Sequence, residues 1–247
     1  MTPSLRVRAV NTASESENRI HDNHVAAEYG FRGGLVPGVT VYGYMASAAI
    51  DRLGLQWLER GAMDVRFFEP FYEGEEVAVS ISDLPEGRIK IEAGRASGTS
   101  WLLETSLLSD YPTELLNAKE IASRETIRPG RLLGSLDKTL DLSRPGLSAP
   151  LDAFIGSERF AHPAIVLGLA NELLMHNYTL GPWIHSSSEV RNAKAVRDGE
   201  AVQVHGKIAD AYERKGHEFI VLDVAILSAG TVASRIRHTA IWKPRKV

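Results

Sequence analysis

A polar stretch at residues 14–38 carries most of the side chains in this sequence that could take part in acid-base chemistry. Its titratable and hydrogen-bonding members are Glu15, Glu17, Asn18, His21, Asp22 and His24. Histidine is the side chain that most readily exchanges a proton near neutral pH, and a neighbouring carboxylate can assist it. His21 is therefore a candidate general acid or base. The alternative is structural, with the ring bracing the turn formed by residues 22–29.

Other chemistries at this stretch have weaker support. The spacing of His21, Asp22 and His24 permits metal binding, but no further ligand is apparent, so we predict no metal site and no cofactor. Gly33-Gly34 could approach a phosphate, yet no Lys-Ser/Thr follows as in a phosphate-binding loop, and a tight turn is the commoner role. The chain has no cysteine, which excludes disulfides, thiolate nucleophiles and zinc-thiolate sites.

An internal repeat indicates which elements position this stretch. Several features of the first half recur in the same order in the second half. The matching positions are Pro37 with Pro163, Trp57 with Trp183, Val65-Arg66 with Val190-Arg191, Gly74-Glu75 with Gly199-Glu200, and Gly98-Thr99 with Gly230-Thr231. Each match is weak by itself, but the shared order predicts two related units.

Each unit has the pattern of one apolar helix followed by strands. A proline opens the helix in both units, and Gly54 is a stop signal for the first one. Alternating apolar residues predict strands at 62–68, 76–82, 88–96 and 100–108, and again at 186–195, 201–211, 218–227 and 232–242. This order is typical of an α+β fold in which an antiparallel sheet wraps around a buried helix. Two such sheets could pair edge to edge, which would remove exposed edge strands.

We expect an N-terminal module at residues 1–110, a linker at 111–130 that could be helical at 113–123, and a C-terminal module at 131–247. The second unit has no histidine before its helix until His162, at the mouth of that helix. A duplicated chain in which one of the two segments keeps its polar groups indicates one site, carried by the first module.

The motif Asn18-Arg19-Ile20-His21 and the residues after it resemble the hydratase motif of the MaoC-like family, which contains (R)-specific enoyl-CoA hydratases. The further matches are Ala26-Ala27, Gly30-Phe31, Gly33-Gly34 and Leu35-Val36-Pro37-Gly38, followed by Arg66-Phe67, Pro70 and Gly74-Glu75. The resemblance covers residues 14–80, and the second half matches as a degenerate copy. It implies a tandem (double) hot-dog fold, each half an antiparallel sheet wrapped around a long central helix.

The resemblance implies that His21 is a catalytic histidine. In the family this histidine and an aspartate activate a water that adds across the double bond of an enoyl thioester. The aspartate position is occupied here by Ser16, and a serine cannot serve as a carboxylate base. We therefore expect altered chemistry with Ser16 in the site, or a replacement carboxylate from Glu17 or Asp22. Further departures are Arg19, where the family has proline, and Pro37, where it has histidine.

The resemblance also implies a substrate-binding surface. Gly38 matches a family glycine at the start of the central helix, where N–H groups and the helix dipole favour negative charge on a thioester oxygen. Gly38 could also serve to let the helix pack closely on the sheet. The other expected substrate contacts are Asn18, Gly33, Gly34 and Arg66, of which the arginine would reach a pantetheine or phosphate group.

Three functions stay open at this point. The first is a lyase of the enoyl-CoA hydratase type, acting on an acyl thioester of CoA or acyl carrier protein. The second is non-catalytic acyl-CoA binding. The third is an acyl-CoA thioesterase, which is least favoured because the first helix has no carboxylate before Asp51. A net charge of −3 gives no basic surface for nucleic acid, and no apolar run is long enough to span a membrane. We expect a cytoplasmic protein, a pseudo-dimer within one chain that is a monomer or a homodimer.

Overall fold

The structure is a computed structural model and describes residues 5–104, 108–113, 118–140 and 159–246. The strands of the first half are β1 (Leu5–Arg8), β2 (Gly61–Phe67), β3 (Glu76–Asp83), β4 (Ile89–Ala93) and β5 (Ala96–Leu102). Those that follow are β6 (Glu120–Ile121), β7 (Leu136–Thr139), β8 (Tyr178–Thr179), β9 (Ile184–Asn192), β10 (Ala201–Arg214), β11 (His217–Ser228) and β12 (Thr231–Lys243). The helices are α1 (Asn23–Ala27), α2 (Gly38–Leu53), α3 (Trp57–Arg60) and α4 (Pro163–Asn177), and a 3-10 helix spans Arg19–His21.

One antiparallel sheet of ten strands runs through both halves, in the order β1-β3-β4-β5-β2-β9-β12-β11-β10-β7. The halves meet at β2 and β9, whose five pairs run from Ala62 with Arg191 to Arg66 with Ser187. This confirms the edge-to-edge pairing predicted from the sequence. Strands β6 and β8 form a separate parallel pair.

Helix α2 is the centre of the first half, and all of residues 40–50 are buried. The helix follows Pro37 and ends at Gly54, whose φ of 85° is a left-handed value that favours glycine. It packs against β3, β4, β5 and helix α4. The sequence predicts this interior position because charged side chains begin only at Asp51.

Buried His162 connects the two central helices. Its Nδ1 accepts the Ala164 N–H at 3.1 Å and so caps α4, while its Nε2–H donates to Ser47 Oγ of α2 at 3.1 Å. Ser47 donates in turn to the Gly43 carbonyl at 3.0 Å. Both ring nitrogens are therefore used in structural hydrogen bonds, and the bond to Ser47 joins the two halves.

The two tryptophans matched by the repeat lie buried near the junction of the halves. The Trp57 carbonyl accepts a hydrogen bond from Asn192 Nδ2 at 3.3 Å. The Trp183 carbonyl accepts one from Asn18 Nδ2 at 2.9 Å. The backbone of each tryptophan is thus hydrogen-bonded by an asparagine of the opposite half.

Most predicted strands are confirmed, with shifts at their ends. The strand predicted at 88–96 ends at Ala93, and the one predicted at 100–108 spans Ala96–Leu102, because the chain turns at Gly94 with a φ of 56°. The module boundaries stay a prediction. Strand β6 lies within the predicted linker, and part of the helix suggested at 113–123 falls outside the described residues.

The neutral, buried His162 predicts that acid destabilises the fold. Burial lowers its pKa from 6.5 to about 3, so between these values the unfolded chain binds a proton that the folded chain does not. Through this histidine alone, the free energy of unfolding should fall by about 1.4 kcal/mol for each pH unit below the unfolded pKa.

His162→Asn keeps a side-chain acceptor for the start of α4 but does not titrate. Between pH 7.5 and pH 5.0, urea unfolding should show a smaller acid-induced loss of stability in this variant than in the wild type, by roughly 2 kcal/mol. The matched variant His24→Asn, at an exposed position, should lose as much stability as the wild type. An equal loss in His162→Asn and the wild type would contradict the assignment.

Candidate active site

A cavity opens where the pairing of β2 with β9 ends. Beyond the pair of Arg66 with Ser187, β2 stops at Phe67, whereas β9 continues to Ile184 along β12. The cavity has a volume of about 370 Å³ and a mostly apolar lining drawn from both halves. Its polar lining side chains include Asn18, His21, Glu69, Asn171, His185, Ser186, His217 and Arg245.

His21 ends the 3-10 helix and presents one ring nitrogen as a base. Its Nδ1 lies 2.7 Å from the Leu35 carbonyl, which can only accept, so Nδ1 carries the proton. In the neutral ring Nε2 is then unprotonated, and it accepts a long hydrogen bond of 3.3 Å from Asn18 Nδ2. Burial lowers the pKa of His21 below 6.5, and the Leu35 hydrogen bond opposes this only in part. His21 is therefore neutral at pH 7, and the lone pair of Nε2 accepts the long hydrogen bond from Asn18, which a reacting water must replace.

Asn18 fixes this ring to the other half of the molecule. Its Oδ1 accepts the Trp183 N–H at 3.1 Å, and its Nδ2 donates to the Trp183 carbonyl at 2.9 Å. Oδ1 also accepts the Ile20 N–H at 3.3 Å, which caps the 3-10 helix. The same amide therefore positions His21 and closes the junction between the halves.

Gly34 packs against the backbone of His21 and Gly33 against Asn23, and neither glycine lines the cavity. A Cβ on Gly34 would collide with the His21 carbonyl oxygen, so only glycine allows the two segments to approach. The Gly34 N–H donates to Asn23 Oδ1 at 2.7 Å. The structure therefore places both glycines in the packing of the site.

The residues considered as partners for His21 point elsewhere. Ser16 Oγ donates to the Asn18 carbonyl at 3.2 Å. Glu17 is exposed and pairs with Lys119 at 2.8 Å. Asp22 caps α1, and the Val25 N–H is the largest cause of its lowered pKa. Within the described residues, no carboxylate is hydrogen-bonded to the His21 ring.

Gly38 is the first residue of α2 and lines the same cavity as His21. The first N–H groups of a helix have no partner within it, so the Gly38 N–H can serve a ligand, whereas the Thr40 N–H is bonded to the Pro37 carbonyl. A Cβ at Gly38 would lie only 2.7 Å from His185 Nδ1. The glycine therefore leaves room for a side chain of the second half at the start of the helix.

Arg66 lies apart from this cavity. Strand alternation turns it away from the buried face of β2, and it lines a shallow outer groove with Glu189 and Arg237. His24 is exposed and likewise stays outside the cavity lining. Of the predicted catalytic and substrate-binding residues, Asn18, His21 and Gly38 line the cavity together.

His185 and Asn171 line the cavity from the second half, and sequence reasoning missed His185. The second unit lacks a segment like that at residues 14–38, and His185 lies within a strand, so no motif points to it. Asn171 is a polar side chain in an apolar helix, which is a sequence signal for a place in a site. Its Oδ1 is buried and has no hydrogen-bond partner among the described residues.

The part of the chain that the structure describes shows neither a metal-binding cluster nor a membrane-spanning helix. The described residues contain no group of three or more histidine, aspartate or glutamate side chains that could hold a metal ion. No helix in the described ranges is long and apolar enough to cross a membrane.

Comparisons with known proteins give the fold a name. No protein-family model matches the sequence, and no curated protein matches it at a significant level. Among solved structures, one titled as a MaoC domain dehydratase from Chloroflexus aurantiacus is 10% identical, with a TM-score of 0.58 over 99% of this chain and 95% of that one. The double hot-dog protein Rv0216 from Mycobacterium tuberculosis is 13% identical, with a TM-score of 0.57 over 98% and 96%. This chain has the double hot-dog fold.

A third similar structure is the dehydratase domain of RzxB from Pseudomonas fluorescens, which is 14% identical, with a TM-score of 0.52 over 84% of this chain and 86% of that domain. The fold of MaoC-like double hot-dog proteins is thus confirmed as the motif resemblance implied. At these identities the likeness is one of fold, and the chemistry has to be argued from the cavity itself.

The clamp between Asn18 and Trp183 predicts that Asn18→Ala destabilises the protein. The variant leaves the buried N–H and carbonyl of Trp183 without partners, which costs about 1–3 kcal/mol for each group. Urea unfolding should show a loss of about 2–6 kcal/mol. Ser16→Ala removes one bond at a partly exposed position and should cost less than about 1 kcal/mol. Equal losses in the two variants would argue against the clamp.

Proposed function

We propose that the chain binds an acyl thioester in the cavity and adds water to an enoyl thioester, with His21 as its acid-base residue. One observation carries this proposal: an unprotonated, buried imidazole nitrogen and the start of a helix line the same apolar cavity. An apolar pocket suits an acyl chain, and a helix N-terminus suits the oxygen of a thioester as it gains charge.

The reaction needs one base, one acid and a site for negative charge. His21 Nε2 takes a proton from water as the water oxygen bonds to the β-carbon. The double-bond electrons move onto the thioester oxygen, where the Gly38 N–H stabilises the enolate. The imidazolium then returns the proton to the α-carbon, and His21 is neutral again. The Leu35 carbonyl holds Nδ1–H throughout, so the ring keeps one orientation.

The mouth of the cavity supports a carrier-bound substrate. Its exposed lining includes Phe68, Glu69 and Arg245, and the Arg245 N–H donates to His217 Nδ1 at 3.1 Å. A cation at the mouth suits the phosphate of CoA or of the phosphopantetheine arm of an acyl carrier protein. The reactive thioester would then lie deeper, near Gly38.

A second candidate is acyl-thioester binding without turnover. It is favoured because Glu17 pairs with Lys119 and Asp22 caps the start of α1. Neither carboxylate is therefore hydrogen-bonded to His21. Thermal stabilisation by acyl-CoA with no hydration would support it. Asp51, the carboxylate of α2, is exposed and outside the cavity lining, so no observation favours a thioesterase.

Hydration is tested by incubating the protein with crotonyl-CoA and longer enoyl-CoAs. The conjugated thioester absorbance should fall, and His21→Ala should slow this loss by at least about 100-fold because it removes the only proposed proton carrier. His24→Ala, three residues away and exposed, is the matched control and should keep the wild-type rate. No turnover by the wild type, beside an active known hydratase, would exclude hydration of these substrates.

The pH profile of kcat/KM provides a separate prediction, because it reports the pKa of the free protein. Hydration needs unprotonated His21, whose pKa lies below 6.5 through burial. The midpoint of the decline in rate with falling pH should therefore lie below pH 6.5. A decline with its midpoint above 6.5 would show that a different group limits the reaction.

A further inference from the structure

A β-bulge turns His185 toward the inside of the sheet. Thr239 pairs with Ser187 and Ala240 pairs with His185, so Ser186 is an extra residue on β9. Side chains alternate along a regular strand, and the extra residue allows His185 and Ser188 to face the same side. His185 is 7% exposed and lines the cavity.

Ser188 links His185 to a second buried histidine. Its Oγ lies 2.8 Å from His185 Nε2 and 3.1 Å from His238 Nδ1, and the two ring centroids are 4.3 Å apart. A hydroxyl has one proton, so Ser188 donates to one ring and accepts from the other. If it donates to His185 Nε2, the proton of the neutral His185 ring is on Nδ1.

The other nitrogen of His185, Nδ1, has no hydrogen-bond partner among the described residues. It lies at the start of α2, 2.7 Å from the position that a Cβ on Gly38 would take. A buried polar atom without a partner is uncommon, and in a cavity lining it indicates a place for a ligand atom. A donor in this position needs an acceptor such as a carbonyl oxygen.

We propose that His185 is a further substrate-contacting residue, whose Nδ1–H donates to the thioester oxygen held by the Gly38 N–H. The inference rests on the proposed function, since it takes an acyl thioester as the ligand. The first half then supplies the base and one donor, and the second half supplies the other donor. Ser188 and His238 are positioning residues: when His238 Nδ1–H donates to Ser188 and Ser188 donates to His185 Nε2, the proton of the His185 ring is on Nδ1.

The surroundings of His185 suit a neutral donor. Burial, followed by the nearby His238, lowers the pKa of His185 well below 6.5, and the Ser187 backbone opposes this only in part. The Phe67 and His185 rings pack edge to face at a centroid distance of 4.8 Å. A neutral imidazole can donate to the oxygen without bringing a charge into the apolar cavity. The ligand oxygen in turn selects the arrangement in which Nδ1 is protonated.

The test compares two ligands that differ at the thioester oxygen. Butyryl-CoA carries the carbonyl, whereas its thioether analogue S-butyl-CoA lacks it. His185→Phe keeps an aromatic ring but removes both nitrogens. Calorimetry should show about tenfold weaker binding of butyryl-CoA to this variant and unchanged binding of S-butyl-CoA. His24→Phe, at an exposed position, should bind both ligands as the wild type does.

An NMR measurement on the wild type keeps the test valid if His185→Phe folds poorly. Imidazole ¹⁵N shifts should show a protonated Nδ1 on His185 with butyryl-CoA bound, and not with S-butyl-CoA. If the variant binds both ligands equally more weakly, His185 has a packing role and the inference is overturned. Unchanged binding of butyryl-CoA by the variant, or an unprotonated Nδ1 in the butyryl-CoA complex, would also overturn it.

These outcomes separate this inference from the proposed function. His185→Phe could weaken the binding of butyryl-CoA alone while the wild type does not hydrate crotonyl-CoA. This result would support the contact between His185 and the thioester oxygen and would refute the hydratase activity. A wild type that hydrates crotonyl-CoA, with carbonyl selectivity retained in His185→Phe, would refute only the contact. A wild type that binds neither ligand would refute both.

Discussion

The site depends on where the pairing between β2 and β9 stops. Strands β2 and β9 join the two half-sheets, and Arg66 with Ser187 is their last pair. Beyond this pair the two strands separate. A continuous ladder would close this space with backbone hydrogen bonds and side chains. The gap instead becomes the cavity, and Asn18 bridges it by pairing with both polar groups of the Trp183 backbone. The ring of His21 is held by the same amide, so the junction and the candidate base share one support.

Duplication explains why one cavity draws on both halves. The first half contributes His21 and the start of α2, and the second contributes β9 with His185. The histidine at the start of the second helix has a different use, because both nitrogens of His162 are bonded to Ala164 and Ser47. His162 at the start of α4 therefore connects the two central helices and has no ring nitrogen left for chemistry. This agrees with the sequence-based hypothesis of a single site.

Features set by local pattern could be predicted from the sequence. The burial of α2 followed from its lack of charge before Asp51, and the strands followed from alternation. The direction of side chains in irregular segments could not be predicted. Glu17 and Asp22 lie close to His21 in sequence, yet one pairs with Lys119 and the other caps α1. His185 escaped notice because a bulge breaks the alternation from which an inward position is inferred.

The claim that a thioester oxygen is held at the start of α2 can be tested by NMR on protein labelled with ¹⁵N-glycine, with and without saturating butyryl-CoA. We predict that the Gly38 amide proton moves downfield as it donates to that oxygen. Gly54 and Gly74, which have open space around them, should not shift. If calorimetry shows that butyryl-CoA binds while the Gly38 amide signal stays unchanged, the thioester is not held at this helix and the proposed chemistry is wrong.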